Sequence, residues 1–104
     1  MTAKIAYTED FNDDLENILH YISYSLKAKN AANRLLNEII KKSSIICETP
    51  EAYPVYKPKY KKFPTDLRHY SVKNYTIFYI YDKKENVVKA TNIIYSKRDI
   101  KKLF

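Results

Sequence analysis

The last third of this chain contains three β-rich runs separated by two short polar breaks, and this spacing limits how the chain can fold. The runs are Leu67–Val72, Tyr75–Tyr81 and Val87–Tyr95, and the breaks between them are Lys73-Asn74 and Asp82–Asn86. Because breaks this short connect antiparallel neighbours, the runs predict a three-stranded antiparallel meander. Both alternating faces of the middle run are apolar or aromatic, which predicts a central strand covered on both sides.

The first quarter of the chain predicts a short strand and a long amphipathic helix. Lys4–Tyr7 is compatible with a strand, and Thr8 is a good N-cap because its hydroxyl can accept an unpaired amide of the first turn. We expect the helix to run from about Glu9 to Lys27. Its apolar stripe recurs at helical spacing and consists of Phe11, Leu15, Ile18, Ile22 and Leu26.

A second helix follows after a short connection. Asn30 is the expected cap, apolar residues recur at helical intervals after it, and Thr49-Pro50 ends the pattern. Two amphipathic helices joined this closely form an antiparallel hairpin, whose apolar stripe can cover one face of the meander. The chain of 104 residues is long enough for one core, so we predict a single α+β domain over residues 1–104. We expect a short helix or a tail in Ser96–Phe104.

The composition excludes several classes of protein. The chain has no glycine, which excludes the glycine-rich phosphate loops of nucleotide-binding proteins. One cysteine, Cys47, cannot form an internal disulfide and favours a reducing compartment, so we expect the protein in the cytoplasm. No apolar run approaches the roughly 18–20 residues that cross a bilayer, so we expect no membrane partner.

Positive charge is concentrated in the second half of the chain. Residues 1–52 hold six basic and eight acidic residues, whereas residues 53–104 hold 13 basic and four acidic residues, a balance of +9. The loop Pro50–Pro64 carries the densest lysines. Loops of this length in compact domains are usually functional or mobile, and the charge of this one favours a function. Lysines alternate with tyrosines here, as in surfaces that bind single-stranded nucleic acid. The alternative is a lysine-rich surface that serves only solubility.

The order of these elements resembles the RelE/ParE superfamily of toxins from bacterial toxin–antitoxin pairs. The matching segments are Tyr7-Thr8, Thr49–Glu51, Arg68, Asn74–Tyr79 and Tyr95–Ile100. The resemblance implies a small α+β toxin without cofactor or metal, neutralised by a cognate antitoxin. An acidic, amphipathic C-terminal segment of that antitoxin would lie between the helical hairpin and the sheet, or on the basic face.

RelE-like members of the superfamily enter the ribosomal A site and cut mRNA through attack of the ribose 2′-OH, without a metal. The resemblance then implies catalytic roles for Arg68 and Arg98, with Tyr70 and Tyr95 stacking on a base or relaying a proton. Candidates for binding RNA or another target are Lys57, Lys59, Lys61, Lys62, Lys73 and Lys97.

This nuclease set is incomplete in the sequence. Thr76 stands where the RelE pattern has an arginine, and Phe104 stands where it has a tyrosine. His69 alternates with Arg68 and should face away from it, and His20 should lie on the solvent side of the first helix. The sequence therefore offers no clear general base.

ParE-like members instead bind DNA gyrase and block it, with no chemistry of their own. The ending Tyr95–Ile100 is closer to this branch, and the long, well-capped first helix also fits it. A binding surface tolerates the missing catalytic residues, because it needs shape and anchoring side chains rather than an acid and a base. We therefore favour gyrase inhibition over mRNA cleavage, with a basic nucleic-acid-binding domain without toxicity as a third reading.

Overall fold

The computed structural model describes residues 2–56 and 66–97. Its elements, in chain order, are β1 (Lys4–Tyr7), α1 (Glu9–His20), α2 (Lys29–Glu48), β2 (Leu67–Val72), β3 (Tyr75–Asp82) and β4 (Val87–Tyr95). The predicted α+β order of strand, two helices and meander is confirmed. The prediction of a helix or tail after Ser96 falls mostly on residues outside the described part of the chain.

The four strands form one mixed sheet in the order β1-β4-β3-β2. β2, β3 and β4 pair antiparallel, as the meander predicts, and β1 joins the far side of β4 in parallel, from Lys4 opposite Val87 to Tyr7 opposite Ala90. In β3 the consecutive side chains of Ile77, Phe78 and Tyr79 are all fully buried. This burial on both faces confirms that β3 is a covered, internal strand.

α1 begins where the sequence predicts. The Thr8 hydroxyl accepts a hydrogen bond from the amide of Phe11 at 3.1 Å, which caps the first turn. The same hydroxyl donates to the carbonyl of Thr91 at 3.2 Å, at a bulge where β4 has one more residue than β3. One side chain therefore fixes the start of the helix onto the sheet.

The end of the first helix differs from the prediction of a regular helix up to Lys27. α1 ends at His20, and Tyr21–Ser25 continues as a wider π-helical turn in which the amide of Leu26 reaches the carbonyl of Tyr21. The wide turn buries Ile22 and leaves Tyr21 at the surface. Lys27 then adopts a left-handed conformation, with φ 51°, and turns the chain into α2.

α2 begins at Lys29, so the prediction that Asn30 caps it was wrong. Ala28 occupies the cap position and makes no side-chain hydrogen bond there. The helix ends at Glu48, next to the predicted stop at Thr49-Pro50. Its buried face consists of Ala32, Leu35, Ile39, Ser43, Ile46 and Cys47.

The core has two parts, one on each face of the sheet. The larger part lies between the helices and the sheet, where Phe11, Leu35 and Ile39 pack on Ile77 and Tyr79. The smaller part lies on the opposite face and consists of Leu67, Phe78 and Ile94, with Tyr56 and Ile80 packed against them. The two helices therefore cover one face of the meander, as predicted, and a segment of the long loop contributes to the other.

Asp14 in α1 protects the part of β4 that β1 does not reach. β1 pairs with β4 only as far as Ala90. Beyond that point, one carboxylate oxygen of Asp14 accepts the backbone amide of Ile93 and the side-chain amide of Asn92, each at 3.2 Å. An open strand edge is a site for unwanted pairing with other chains, so this carboxylate both stabilises and covers the edge.

Replacing Asp14 with alanine should lower the free energy of unfolding by about 2 kcal/mol, because two hydrogen bonds to a charged acceptor are lost. Urea denaturation of the purified chain measures the change. Asp13→Ala is the matched control, since Asp13 is exposed one position earlier on the same helix. Equal losses in the two variants would contradict the role assigned to Asp14.

Turns in this chain are made without glycine. Lys27, Lys73 and Asn86 have φ values of 51°, 53° and 55°, in the left-handed region that glycine normally fills. In the two-residue turn between β2 and β3, Lys73 rather than Asn74 takes the positive φ. Asn86, before β4, is also held by its side chain, which accepts the Tyr81 hydroxyl at 2.7 Å.

Candidate functional site

Arg68, the first candidate catalytic residue, lies on β2 and holds the segment that follows α2. Its side chain is 15% exposed, and its Nη1 donates to the carbonyls of Tyr53 at 2.7 Å and Glu51 at 3.1 Å. Its Nη2 lies 3.9 Å from the exposed carboxylate of Asp66. The guanidinium therefore bridges the backbone of a loop, a role that the sequence does not reveal.

Tyr79 completes this contact from the neighbouring strand. It stands opposite Arg68 in the register of β2 and β3, and its hydroxyl donates to the carbonyl of Pro50 at 2.6 Å. Burial raises the pKa of Tyr79 to about 12, although the nearby positive charge of Arg68 lowers it. We call Arg68 and Tyr79 the loop anchor, because together they bind three carbonyls of the segment from Pro50 to Tyr53.

Tyr70, predicted to contact RNA, lies in the core. It is 4% exposed, and its ring packs against Tyr53 and Tyr79. Burial raises the pKa of Tyr70 well above its usual range, outweighing the opposite effect of a hydrogen bond with Ser43. Ser43 in turn donates to the carbonyl of Ile39 and accepts the Tyr7 hydroxyl. Tyr70 thus belongs to a buried polar cluster beneath the helices.

The two histidines lie where the sequence places them. His69 points to the face opposite Arg68, where its ring lies 6.1 Å from Phe78 and 6.4 Å from Tyr56. Burial lowers the pKa of His69, so the ring is more readily neutral than a free imidazole. His20 is exposed and its ring packs against Tyr24 at a tilt of 35°, with ring centroids 4.5 Å apart.

Lys73, Lys97 and Tyr95 meet at the end of the sheet where β2 turns into β3. The amide of Ser96 donates to the carbonyl of Asn74 at 2.9 Å, which holds the end of β4 against this turn. Both lysines are exposed, and Tyr95 is 41% exposed. These three predicted site residues therefore share one accessible end of the sheet, whereas Arg68 pairs with Tyr79 in the middle of β3.

The other predicted site residues, Arg98, Lys57, Lys59, Lys61 and Lys62, lie outside the described residues. The roles assigned to them, and the predicted absence of a metal and a cofactor, stay predictions. In residues 2–56 and 66–97 no group of histidine, cysteine and carboxylate side chains is arranged to hold a metal ion. Neither helix of this part of the chain has the length and apolar character needed to cross a membrane.

Two tyrosines that the sequence analysis left without a role lie at the same end as Lys73 and Lys97. Tyr75 begins β3 and contacts Tyr95, with ring centroids 5.7 Å apart. Tyr21, in the π-helical turn, is 55% exposed. The only hint in the sequence is that Tyr21 directly precedes Ile22 of the apolar stripe, which places it on the flank of the helix.

The whole arrangement matches a known family. The family described as "ParE toxin of type II toxin-antitoxin system, parDE" matches residues 5–100, which includes both helices, β2 to β4 and all of β1 except its first residue. The chain belongs to the ParE toxin family. It is therefore a toxin of the RelE/ParE superfamily and of a type II toxin–antitoxin system, and the resemblance noted in the sequence is confirmed.

Solved structures share the fold of this toxin at low sequence identity. The chromosomal ParDE system of P. aeruginosa has a chain with TM-score 0.68 and 13% identity, covering 92% of the toxin and 98% of that chain. A chain of the toxin–antitoxin complex RelBE2 of Mycobacterium tuberculosis has a TM-score of 0.63 and 11% identity, and the match covers 91% of the toxin described here and 99% of that chain. A chain of the archaeal RelE–RelB complex of Pyrococcus horikoshii has a TM-score of 0.59 and 18% identity, and the match covers 94% of this toxin and 99% of that chain. A search of curated protein sequences gives no significant match.

Proposed function

We propose that this toxin stops growth by binding DNA gyrase and blocking it, and that it has no catalytic chemistry of its own. The observation that carries the proposal is the placement of Arg68 and Tyr70. A nuclease of the RelE type needs cations and a proton-relaying group presented to RNA. Here the Arg68 guanidinium binds two backbone carbonyls and Tyr70 lies in the core.

Two titratable groups near Arg68, His69 and Tyr79, do not replace that set. His69 is the candidate for a general base, but it lies on the other face of the sheet from Arg68. Tyr79 donates its hydroxyl to the carbonyl of Pro50, and burial raises its pKa to about 12, further from neutral pH. A surface that binds a protein requires neither a general base nor a proton relay, so gyrase binding is compatible with the positions of Arg68, Tyr70, His69 and Tyr79.

The family match supports the same branch. The family that matches the chain is named for ParE, and among the neighbours described above the ParDE structure has the highest TM-score. We propose gyrase as the target on this ground together with the geometry. The proposal places the protein in the cytoplasm, as the single cysteine predicts.

We further propose that a cognate antitoxin neutralises this chain. The three neighbours described above come from toxin–antitoxin systems, two of them as complexes. The excess of basic residues in the second half of the chain favours an acidic partner segment. An amphipathic, acidic segment of the antitoxin that folds as it binds would meet this requirement.

One observation favours the second candidate, cleavage of mRNA on the ribosome. Tyr95, Lys73 and Lys97 lie exposed at one end of the sheet, and Arg98 follows Lys97 in the chain. A phenol among cations at an accessible end is the kind of surface that contacts single-stranded RNA. The ribosomal candidate would therefore use this end of the molecule to contact RNA.

One preparation of the toxin tests both candidates. Added to purified gyrase and relaxed plasmid, it should stop supercoiling in proportion to its concentration, because a bound inhibitor removes active enzyme. Added to ribosomes programmed with mRNA, it should leave the message intact. Adding an excess of the cognate antitoxin is the control and should restore supercoiling. Cleaved mRNA together with unimpaired supercoiling would reverse the assignment.

A further inference from the structure

Three tyrosines from three different elements form a patch on the surface. Tyr75 at the start of β3 stands opposite Tyr95 at the end of β4, with ring centroids 5.7 Å apart and planes at 60°. Tyr21 lies in the π-helical turn that follows α1. Burial raises the pKa of Tyr75, and the neighbouring phenols of Tyr95 and Tyr21 act in the same direction. We call these residues the tyrosine patch.

The tyrosine patch has a rigid base and an accessible rim. Tyr75 is half-buried and packs against the main core, so its ring is held in place. Tyr21 and Tyr95 are 55% and 41% exposed. Tyrosine side chains of this kind lose little conformational freedom on binding and offer an apolar body with a hydroxyl, which is why they dominate protein interfaces. The patch therefore has the character of a binding surface.

Positive charge borders the tyrosine patch. Lys73 precedes Tyr75 by two residues, and Lys97 follows Tyr95 by two. Within the described residues, the lysines that form ion pairs are Lys83 with Glu51 and Lys89 with Asp82, not Lys73 or Lys97. Two exposed cations without a described carboxylate partner beside aromatic rings favour an acidic occupant.

The geometry favours protein over single-stranded nucleic acid as that occupant. Bases bind by stacking on flat, exposed ring faces, one base after another. Tyr75 and Tyr95 instead meet edge to face, so the ring contact covers part of the surface on which a base would stack. The exposed ring of Tyr21 comes from a different element and is a single anchor. Ring edges, hydroxyl groups and two neighbouring lysines are groups that can contact the backbone and side chains of a protein segment.

We propose that the tyrosine patch contacts the target of this toxin, and that an acidic segment of the target protein buries Tyr21 and Tyr95 and places carboxylates beside Lys73 and Lys97. The inference rests on the proposed function, because it requires a protein target. It adds the surface used and the charge of the segment that binds there. The cognate antitoxin can then bind elsewhere on the toxin.

Titration of gyrase with the double variant Tyr21→Ala/Tyr95→Ala tests the inference. Loss of two aromatic anchors should raise the toxin concentration that halves supercoiling by about tenfold or more. Tyr24→Ala is the matched control, because Tyr24 lies in the same π-helical turn as Tyr21 and is 64% exposed, but its ring packs against His20. It should inhibit like the wild-type chain. Circular dichroism and co-purification with the antitoxin should be unchanged in both variants.

A charge variant tests the second half of the inference. Lys97→Glu should weaken inhibition by about threefold or more and reduce its dependence on salt, because a rim charge acts mainly on association. Lys84→Glu is the control, since Lys84 is exposed in the turn at the opposite end of β3. Equal inhibition by Lys97→Glu and Lys84→Glu would contradict the acidic occupant.

The outcomes separate the inference from the proposed function. A wild-type chain that leaves supercoiling intact contradicts the proposed function, and the inference falls with it. A wild-type chain that inhibits gyrase, with a folded double variant that inhibits equally well, contradicts the inference alone. If the double variant instead loses binding to a labelled single-stranded RNA and still inhibits gyrase, the occupant is nucleic acid and the proposal is wrong. Loss of antitoxin binding with unchanged inhibition would also overturn it.

Discussion

Replacing Arg68 with alanine should lower the free energy of unfolding by about 3 kcal/mol, because a charged donor with two good hydrogen bonds is removed. The side chain is 15% exposed, so its stem also loses packing when it is truncated. The carbonyls of Glu51 and Tyr53 lose their partner, and the segment that they belong to should loosen. Denaturation with urea and amide exchange in that segment measure the two effects.

The stability of Arg68→Ala distinguishes a structural role of Arg68 from a catalytic role. A purely catalytic arginine would lose activity on mutation while stability stayed the same. Arg34→Ala is the matched control, because Arg34 is exposed on α2 and its loss should change stability by less than about 0.5 kcal/mol. Arg68→Lys should fall between wild type and alanine, since lysine keeps the charge but lacks the planar fork. Wild-type stability with lost toxicity in Arg68→Ala would assign Arg68 to the target instead.

Raising the pH above 10 should unfold the chain progressively. Burial raises the pKa of Tyr79 to about 12 and that of Tyr70 further, whereas an unfolded tyrosine titrates near 10. Below pH 10 both states keep these protons and the stability is complete. Between 10 and 12 only the unfolded state releases them, so each tyrosine lowers stability by about 1.4 kcal/mol per pH unit.

Denaturation midpoints across this range, with tyrosinate absorbance as a second signal, test the prediction. Cys47 and Tyr75, whose pKa values burial also raises, add to the same trend. The share of the two core tyrosines is therefore read from Tyr70→Phe/Tyr79→Phe, which should be less stable at neutral pH but lose stability less steeply above pH 10. Tyr24→Phe, at the surface, should follow the wild-type curve. A double variant with the wild-type slope would contradict the burial of these hydroxyls.

The parts of the fold that local pattern determines were predictable. Thr8 as cap, the two-residue turn at Lys73-Asn74 and the covered strand from Tyr75 follow from residue types at fixed spacing. Alternation along β2 also gave the opposite orientations of His69 and Arg68. The parallel position of β1 beside β4 was not predicted, because nothing in Lys4–Tyr7 identifies a partner so distant in the sequence.

The sites were less predictable because their partners are backbone groups or come from separate elements. Arg68 looks like any exposed basic residue on a strand, and the carbonyls that it binds have no sequence signature. The wide turn that exposes Tyr21 depends on how Ile22 packs against the rest of the core. The tyrosine patch requires three elements to be in place at once. Sequence reasoning found Tyr95 and the two lysines that border the patch, but not the surface that they form together.

The pairing of β1 with β4 has a consequence for the folding of this toxin during its synthesis on the ribosome. The Thr8 hydroxyl and the carbonyl that it binds are 83 residues apart, so the first strand has no neighbour until nearly the whole sheet has been synthesised. Contacts of such long range are formed late and slowly. The complete sheet, and every surface that several of its strands form together, therefore assembles only after most of the chain has been synthesised.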